Sequence, residues 1–241
     1  MRELVLVGIG TGNPDHLTRA GEAAIRAAEV ILVPRKEGKG DLADLRLAIC
    51  RDLGVEAKVR LFDLPVRDAS GDYRAGVDAW HDAIAAAWVA ALPPEAGTVA
   101  LLVWGDPSLY DSTLRIADRL SPAPRIRVIP GITALQALTA AHAIPLNRIN
   151  ATVLITTGRQ VRDHGWPEGA DRVAVLLDGE TSFLSLDPDG LTIWWGAFLG
   201  MENEILVHGP LSQVAETIVR VRAEARAAHG WIMDTYLLER G

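Results

Sequence analysis

The sequence predicts an α/β protein of two domains, a parallel-sheet first half and a mixed-sheet second half. Three observations carry this. Short apolar runs alternate with helical periodicity from residue 4 to residue 129, which is the signature of a parallel sheet with right-handed crossovers. After Pro130-Gly131 strands follow one another with short links, which implies antiparallel pairs in a mixed sheet. With 241 residues the chain is long enough for two domains, predicted here as 1–130 and 131–241.

Leu4-Val5-Leu6-Val7-Gly8-Ile9 is a continuous apolar run, expected for a strand buried on both faces. It breaks into the glycine loop Gly10-Thr11-Gly12-Asn13-Pro14-Asp15, after which Thr18 is placed to cap a helix with Ala20, Ala24, Ala27 and Ala28 on its inner face. Val30–Val33 reads as a second strand stopped by Pro34, followed by the basic loop 35–40 and a helix over 41–52 holding Cys50. Val55–Leu64 alternates weakly, as an edge strand does. Val77, Trp80, Ile84, Trp88 and Ala91 recur at steps of three and four, the stripe of an amphipathic helix. Strand 98–104, helix 111–120 and strand 125–129 complete this half.

In the second half a helix over 133–142 precedes strands at 151–157, 172–177, 191–195, 204–207 and 231–238. One further long helix is expected over 213–228. Alternation turns Trp194 and Trp195 to opposite faces of their strand.

Composition narrows the function. The net charge is −7, with no dense Lys/Arg run, which argues against a nucleic-acid binder. Cys50 is the only cysteine, so there is no internal disulfide and no Cys/His zinc pattern, and no metal is expected. No apolar run approaches the ~20 residues needed to span a bilayer. The opening residues lack signal-peptide order. A cytoplasmic protein without a membrane partner is the expectation.

Three stretches could carry chemistry. Gly8-Ile9-Gly10-Thr11-Gly12-Asn13 approximates a dinucleotide-binding turn, but the third small residue is replaced and the acid after the second strand is missing. Arg35 could instead receive a 2′-phosphate, which leaves an NADP-dependent oxidoreductase open. Gly105-Asp106-Pro107-Ser108-Leu109-Tyr110 ends a buried strand, where ligands of open α/β sheets bind. Taken alone it reads equally as a plain strand-to-helix turn. Val128-Ile129-Pro130-Gly131-Ile132-Thr133-Ala134 is a third strand exit. Backbone amides, small side chains and one carboxylate suit a neutral-to-cationic nucleoside such as a sulfonium better than a triphosphate, for which no Gly-Lys-Ser/Thr cradle exists.

Together these stretches resemble the tetrapyrrole (corrin/porphyrin) methylases, the class III S-adenosylmethionine methyltransferases. Residues 8–18 resemble the opening motif GxGPGDPxxLT, with Thr11 where Pro is common and Asn13 where Asp is common. Residues 105–110 resemble GDPxxY, and Ile129–Ala134 running on to Ala143-Ile144-Pro145-Leu146 resembles PGIxS/TA…GIPL. The resemblance implies two α/β domains with the cofactor S-adenosylmethionine in the cleft between them, a tetrapyrrole substrate and a homodimer. Thr-Gly-Asn-Pro, the loop 34–42 and Thr192–Ala197 most resemble those members that methylate a cobalamin precursor at ring carbon C-1 and release acetate. Methylation at another ring position, and a non-catalytic tetrapyrrole carrier, are the rival readings.

Carried over by motif, the cofactor-binding residues are Gly105, Asp106, Pro107, Tyr110, Thr133 and Ala134, with Leu177, Gly196, Ala197, Ile232 and Met233 from later segments. A polycarboxylate substrate calls for cations: Arg35, Lys36 and Arg159 are the candidates, with Thr11 beside them. His16 and Tyr110 are the candidate proton handlers, and the catalytic base is otherwise unassigned.

Overall fold

A computed structural model describes residues 1–35, 41–68, 70, 72–230 and 232–241. Residues fall into two compact units, Met1–Ile132 and Thr133–Gly241.

The first unit is a five-stranded sheet in the order β3-β2-β4-β1-β5. Its strands are β1 (Glu3–Gly8), β2 (Val30–Arg35), β3 (Val59–Asp63), β4 (Thr98–Val103) and β5 (Arg125–Ile129), and all adjacent pairs are parallel. Alternation along β1 divides the core. Leu4 and Leu6 pack with Ile84 and Trp88 on one face, while Val5 and Val7 pack with Ile25, Ile49 and Cys50 on the other. Helices therefore cover both faces, which is why the inner strands read as unbroken apolar runs. α1 (Arg19–Ala27) begins at Thr18, whose hydroxyl accepts from Gly21 N–H at 3.0 Å. α2 (Asp41–Asp52) and α3 (Tyr73–Ala91) follow.

Three expectations need correction. β2 does not stop at Pro34 but continues to Arg35, pairing Pro34 with Phe62 and Arg35 with Asp63 of β3. Its pairing with β4 ends at Leu32, so Pro34 lies where the strand has a neighbour on one side only and a missing N–H is tolerated. The inner face of α1 is Gly21, Ala24, Ile25 and the capping Ala28, while Ala20 and Ala27 are exposed. The helix expected over 111–120 shrinks to α4 (Thr113–Ala117).

The second unit orders its strands β6-β7-β10-β8-β9: β6 (Val153–Thr157), β7 (Arg172–Leu176), β8 (Leu191–Ala197), β9 (Ile205–Pro210) and β10 (Asp234–Arg240). Only β6–β7 is parallel; β7–β10, β10–β8 and β8–β9 are antiparallel. α5 (Ala134–Ala141) starts at Thr133, α7 (Leu211–His229) is the long helix, and α6 (Gly158–His164) was not anticipated. Trp195 is fully buried and Trp194 is half-buried. The last strand begins three residues later than expected, at Asp234.

Candidate active site

Three glycines of the first unit meet at the carboxyl ends of β1, β4 and β5. A Cβ on Gly8 would stand 2.5 Å from Gly131 N and 2.8 Å from Gly105 O; one on Gly131 would stand 2.7 Å from Gly8 C and closer still to Gly105 O. These are backbone atoms that cannot swing aside, so all three strand exits pack main chain against main chain. Gly10 and Gly105 add an isolated bridge, with Gly105 N–H donating to Gly10 O at 2.8 Å and Gly10 N–H donating to Gly105 O at 3.3 Å. Gly10 and Gly105 have φ of 76° and 63°, which favours glycine at both.

Asp106 ties this junction together. It is 8% exposed; Oδ2 accepts from Gly131 N–H at 2.8 Å, and Oδ1 accepts from Ser108 N–H at 2.8 Å and from the Ser108 hydroxyl. Burial alone would push this carboxyl up, but the donors of Ser108 and Gly131 outweigh it and hold the group below the usual carboxylate range. An ionised carboxylate thus joins the β4 exit to the β5 exit. Pro107 is buried beside it, while Tyr110 is 40% exposed on left-handed backbone, φ 49°. Burial raises the Tyr110 hydroxyl above its ordinary value.

Thr11 is 3% exposed, and its hydroxyl lies 3.1 Å from Nδ1 of His16. A Cβ on Gly10 would collide with the His16 Cβ, so the glycine leaves room for the imidazole to fold onto the loop. Arg35 is exposed and paired with Asp63 at 2.8 Å, whose side chain raises its pKa through that hydrogen bond. Lys36 lies outside the described residues. No local pattern points to Arg46: from α2 its Nε donates to Leu102 O at 2.8 Å, near the end of β4, and burial pulls its pKa down to about 10 against the pull of Asp111.

In the second unit Thr133 caps α5, accepting from Leu135 N–H at 3.2 Å, and Ala134 opens the helix. Leu177 follows β7 on left-handed backbone, φ 53°, and is 66% exposed. Gly196 and Ala197 lie inside β8 between β10 and β9, and both are buried. Ile232 and Met233 precede β10, with Met233 O accepting from Phe198 N–H at 3.0 Å. Arg159 is exposed on α6.

A buried network that sequence reasoning missed stands directly after Leu177. Asp178 is 6% exposed; it accepts from Ser182 N–H at 2.6 Å, the Ser182 hydroxyl at 2.8 Å, Glu180 N–H at 3.1 Å and the Tyr236 hydroxyl at 2.7 Å. Burial is the largest influence raising the Tyr236 hydroxyl, and the adjacent Asp178 charge adds to it. Arg222 donates to Asp178 O at 3.0 Å and to Asp234 at 2.9 Å, and Trp195 Nε1 donates to Asp234 at 3.0 Å. Burial nevertheless raises the Asp234 carboxyl, outweighing Arg222.

Among the described residues no group of three or more His, Cys, Asp or Glu could hold a metal ion, and no helix is long and apolar enough to cross a membrane.

The chain is thus a two-unit α/β protein whose first sheet carries, at its edge, a glycine junction braced by a buried aspartate. The profile of the tetrapyrrole (corrin/porphyrin) methylases matches residues 3–215, and the chain belongs to that family. A curated relative, precorrin-6A synthase [deacetylating] of Sinorhizobium sp, is 43% identical over 252 residues, covering 100% of this chain and 96% of the relative. A solved structure of a cobalamin synthesis related protein from Corynebacterium diphtheriae superposes with a TM-score of 0.86 at 37% identity, covering 100% of this chain and 99% of its own. Uroporphyrin-III C-methyltransferase from Thermus thermophilus, solved in complex with S-adenosylhomocysteine, shares the fold at 20% identity with a TM-score of 0.61, over 98% of this chain and 92% of that one.

Proposed function

We propose that this chain is an S-adenosylmethionine-dependent C-methyltransferase of cobalamin biosynthesis that methylates precorrin-5 at C-1 and releases acetate, giving precorrin-6A. The observation that carries this reading is the full-length likeness to a deacetylating precorrin-6A synthase. The geometry supports it, because the motif glycines and Asp106 converge on one sheet edge.

The residues fit a nucleoside sulfonium. Asp106 keeps an ionised carboxylate at the junction, the glycine backbones allow close approach, and Tyr110 offers an exposed ring. In the second unit Thr133, Ala134, Leu177, Gly196, Ala197, Ile232 and Met233 are the proposed cofactor side, chiefly through Leu177, whose apolar side chain stands in solvent. When bound, the cofactor supplies an electrophilic methyl group. The chain's own task is to align donor and acceptor, and alignment accounts for most of the catalysis that such a transfer needs. Arg35, Lys36, Arg159 and Thr11 are the proposed substrate contacts; Arg46 joins them as a cation beside the β4 exit. We place the enzyme in the cytoplasm as a homodimer.

The test is to incubate purified protein with precorrins and methyl-labelled S-adenosylmethionine and to identify products by mass. One labelled methyl and one acetate per precorrin-5 are expected. Methylation without acetate would overturn the deacetylating reading while leaving a methyltransferase, and turnover of precorrin-2 or precorrin-4 instead would move the reaction to another ring position. Binding of NADPH in place of S-adenosylhomocysteine would favour the oxidoreductase reading raised by the glycine loop.

A further inference from the structure

We infer that His16, oriented by Thr11, is the general base that delivers water to the acetyl group, so that the first unit's glycine loop carries the deacetylating half of the reaction. The inference rests on the deacetylating function proposed above.

Removing an acetyl group from a ring carbon is hydrolytic and demands something that methyl transfer does not. A water molecule must lose a proton while it attacks a carbonyl, and that calls for a positioned base. The carboxylates at the sheet edge are poorly suited. Asp106 is buried and already accepts three hydrogen bonds, and Asp111 accepts from Thr113 N–H at 2.6 Å. Imidazole is the side chain most often used for the task, and His16 is placed for it.

Its placement is built rather than incidental. Gly10, at φ 76°, leaves the space in which the His16 Cβ sits, since a Cβ there would collide with it. The same Gly10 is bridged in both directions to Gly105, the residue before Asp106. His16 is thereby fixed to the junction at which the methyl donor is proposed to bind. The Thr11 hydroxyl, 3.1 Å from Nδ1, fixes the ring's orientation. Thr11 is almost wholly buried whereas His16 is half-buried, so the threonine orients and the imidazole reacts. With Nδ1–H donating to the hydroxyl oxygen, the lone pair of Nε2 remains for water, the arrangement in which one ring nitrogen's hydrogen bond sets the role of the other.

The step balances as follows. Nε2 takes one proton from water as the water oxygen attacks the acetyl carbonyl carbon, and the carbonyl π pair moves to its oxygen. The resulting tetrahedral oxyanion collapses and breaks the bond between the acetyl carbon and the ring carbon. That bond's electron pair stays on the ring carbon, delocalised over the conjugated macrocycle, as the nucleophile for methylation. Acetic acid leaves and loses its proton to solvent, and His16 returns its proton to solvent. No oxidant or reductant is needed.

The experiment measures acetate release from precorrin-5 and calorimetric affinity for S-adenosylhomocysteine in the full-length protein and in His16→Ala, His16→Gln, Thr11→Val and Thr11→Ser. We expect both His16 variants to lose acetate release by on the order of 100-fold or more, the range of general-base contributions, with the affinity unchanged. Added imidazole restores His16→Ala in part, a rescue that a packing defect would not show. Thr11→Val falls less, and Thr11→Ser recovers most of that fall. If wild-type protein binds S-adenosylhomocysteine and methylates precorrin-5 without releasing acetate, the deacetylating reading falls and this inference with it. If wild-type protein releases acetate and His16→Ala does so within about threefold of it, the inference alone is overturned. Loss of acetate release together with loss of cofactor-product affinity, unrelieved by imidazole, also overturns it and assigns His16 a structural role.

Discussion

Replacing Asp106 with Asn tests whether the β4 exit is held by charge or by shape. The two side chains are nearly isosteric, but the carboxylate accepts at both oxygens: Oδ2 from Gly131 N–H, and Oδ1 from Ser108 N–H and hydroxyl. Asparagine brings one acceptor oxygen and one NH2. Whichever way it turns, an NH2 faces at least one backbone N–H in a buried site. A hydrogen bond to a charged group contributes about 1.5–3 kcal/mol, so losing one and opposing two donors should cost roughly 2–4 kcal/mol. Because the folded carboxyl is held below its ordinary pKa, its stabilisation is fully present above the unfolded value, ~3.9, and is lost as pH falls through the lower folded value. The measurement is urea unfolding of wild type and Asp106→Asn at pH 7 and at successively lower pH. A gap of ~2–4 kcal/mol at neutral pH that narrows in acid is expected, with affinity for S-adenosylhomocysteine lowered about tenfold. Equal stabilities at pH 7, or a gap that widens in acid, would refute the brace.

Gly131→Ala should destabilise by ~3 kcal/mol in urea unfolding, the upper range for overpacking, because its Cβ meets backbone of Gly8 and Gly105; a loss below ~1 kcal/mol would mean the junction can open. Tyr236→Phe removes one donor from Asp178 and should cost ~1.5–3 kcal/mol, read by thermal or urea unfolding. Burial pushes the Cys50 thiol up to about 11, so a thiol reagent at pH 8 should label it only after denaturant is added; prompt labelling of the native protein would contradict its burial. Leu177→Gly should leave stability unchanged or raised by up to ~1–2 kcal/mol, since a left-handed non-glycine residue costs about that much. It should weaken S-adenosylhomocysteine about 5–30-fold if the ligand covers the side chain, and unchanged calorimetric affinity would remove Leu177 from the site.

How far such features show in a sequence depends on the range of the interaction behind them. β1, β4 and β5 are legible because burial of both faces demands unbroken apolar runs, and α3 because one buried stripe demands Trp80, Ile84 and Trp88 at helical steps. Pro34 misleads because a proline breaks a strand only where an N–H is needed, and that depends on β4 having already ended its pairing at Leu32. α6 is hidden because Val161 is the one apolar residue it buries, too few to make a period. The site divides in the same way. Gly105, Asp106 and Pro107 stand together in the sequence, but the partner of Asp106 is 25 residues on, and Tyr236 reaches Asp178 across 58 residues. No local pattern encodes either bond.

The two units solve one problem twice. Asp106 follows β4, Asp178 follows β7, and each collects a backbone N–H and a serine hydroxyl from a residue two or four positions later. Beside each stands a non-glycine residue on left-handed backbone with an exposed side chain, Tyr110 after Asp106 and Leu177 before Asp178. Left-handed backbone at such residues costs roughly 1–2 kcal/mol and persists only where the surroundings over-determine it. The buried carboxylates supply that over-determination. In this reading the two buried aspartates act as braces, and ligand contact falls to the backbone and to the side chains they hold outward. Loss of activity on replacing either aspartate therefore does not identify a ligand contact. Only variants such as Leu177→Gly, which spare the brace and remove what it presents, separate holding the site from touching the ligand.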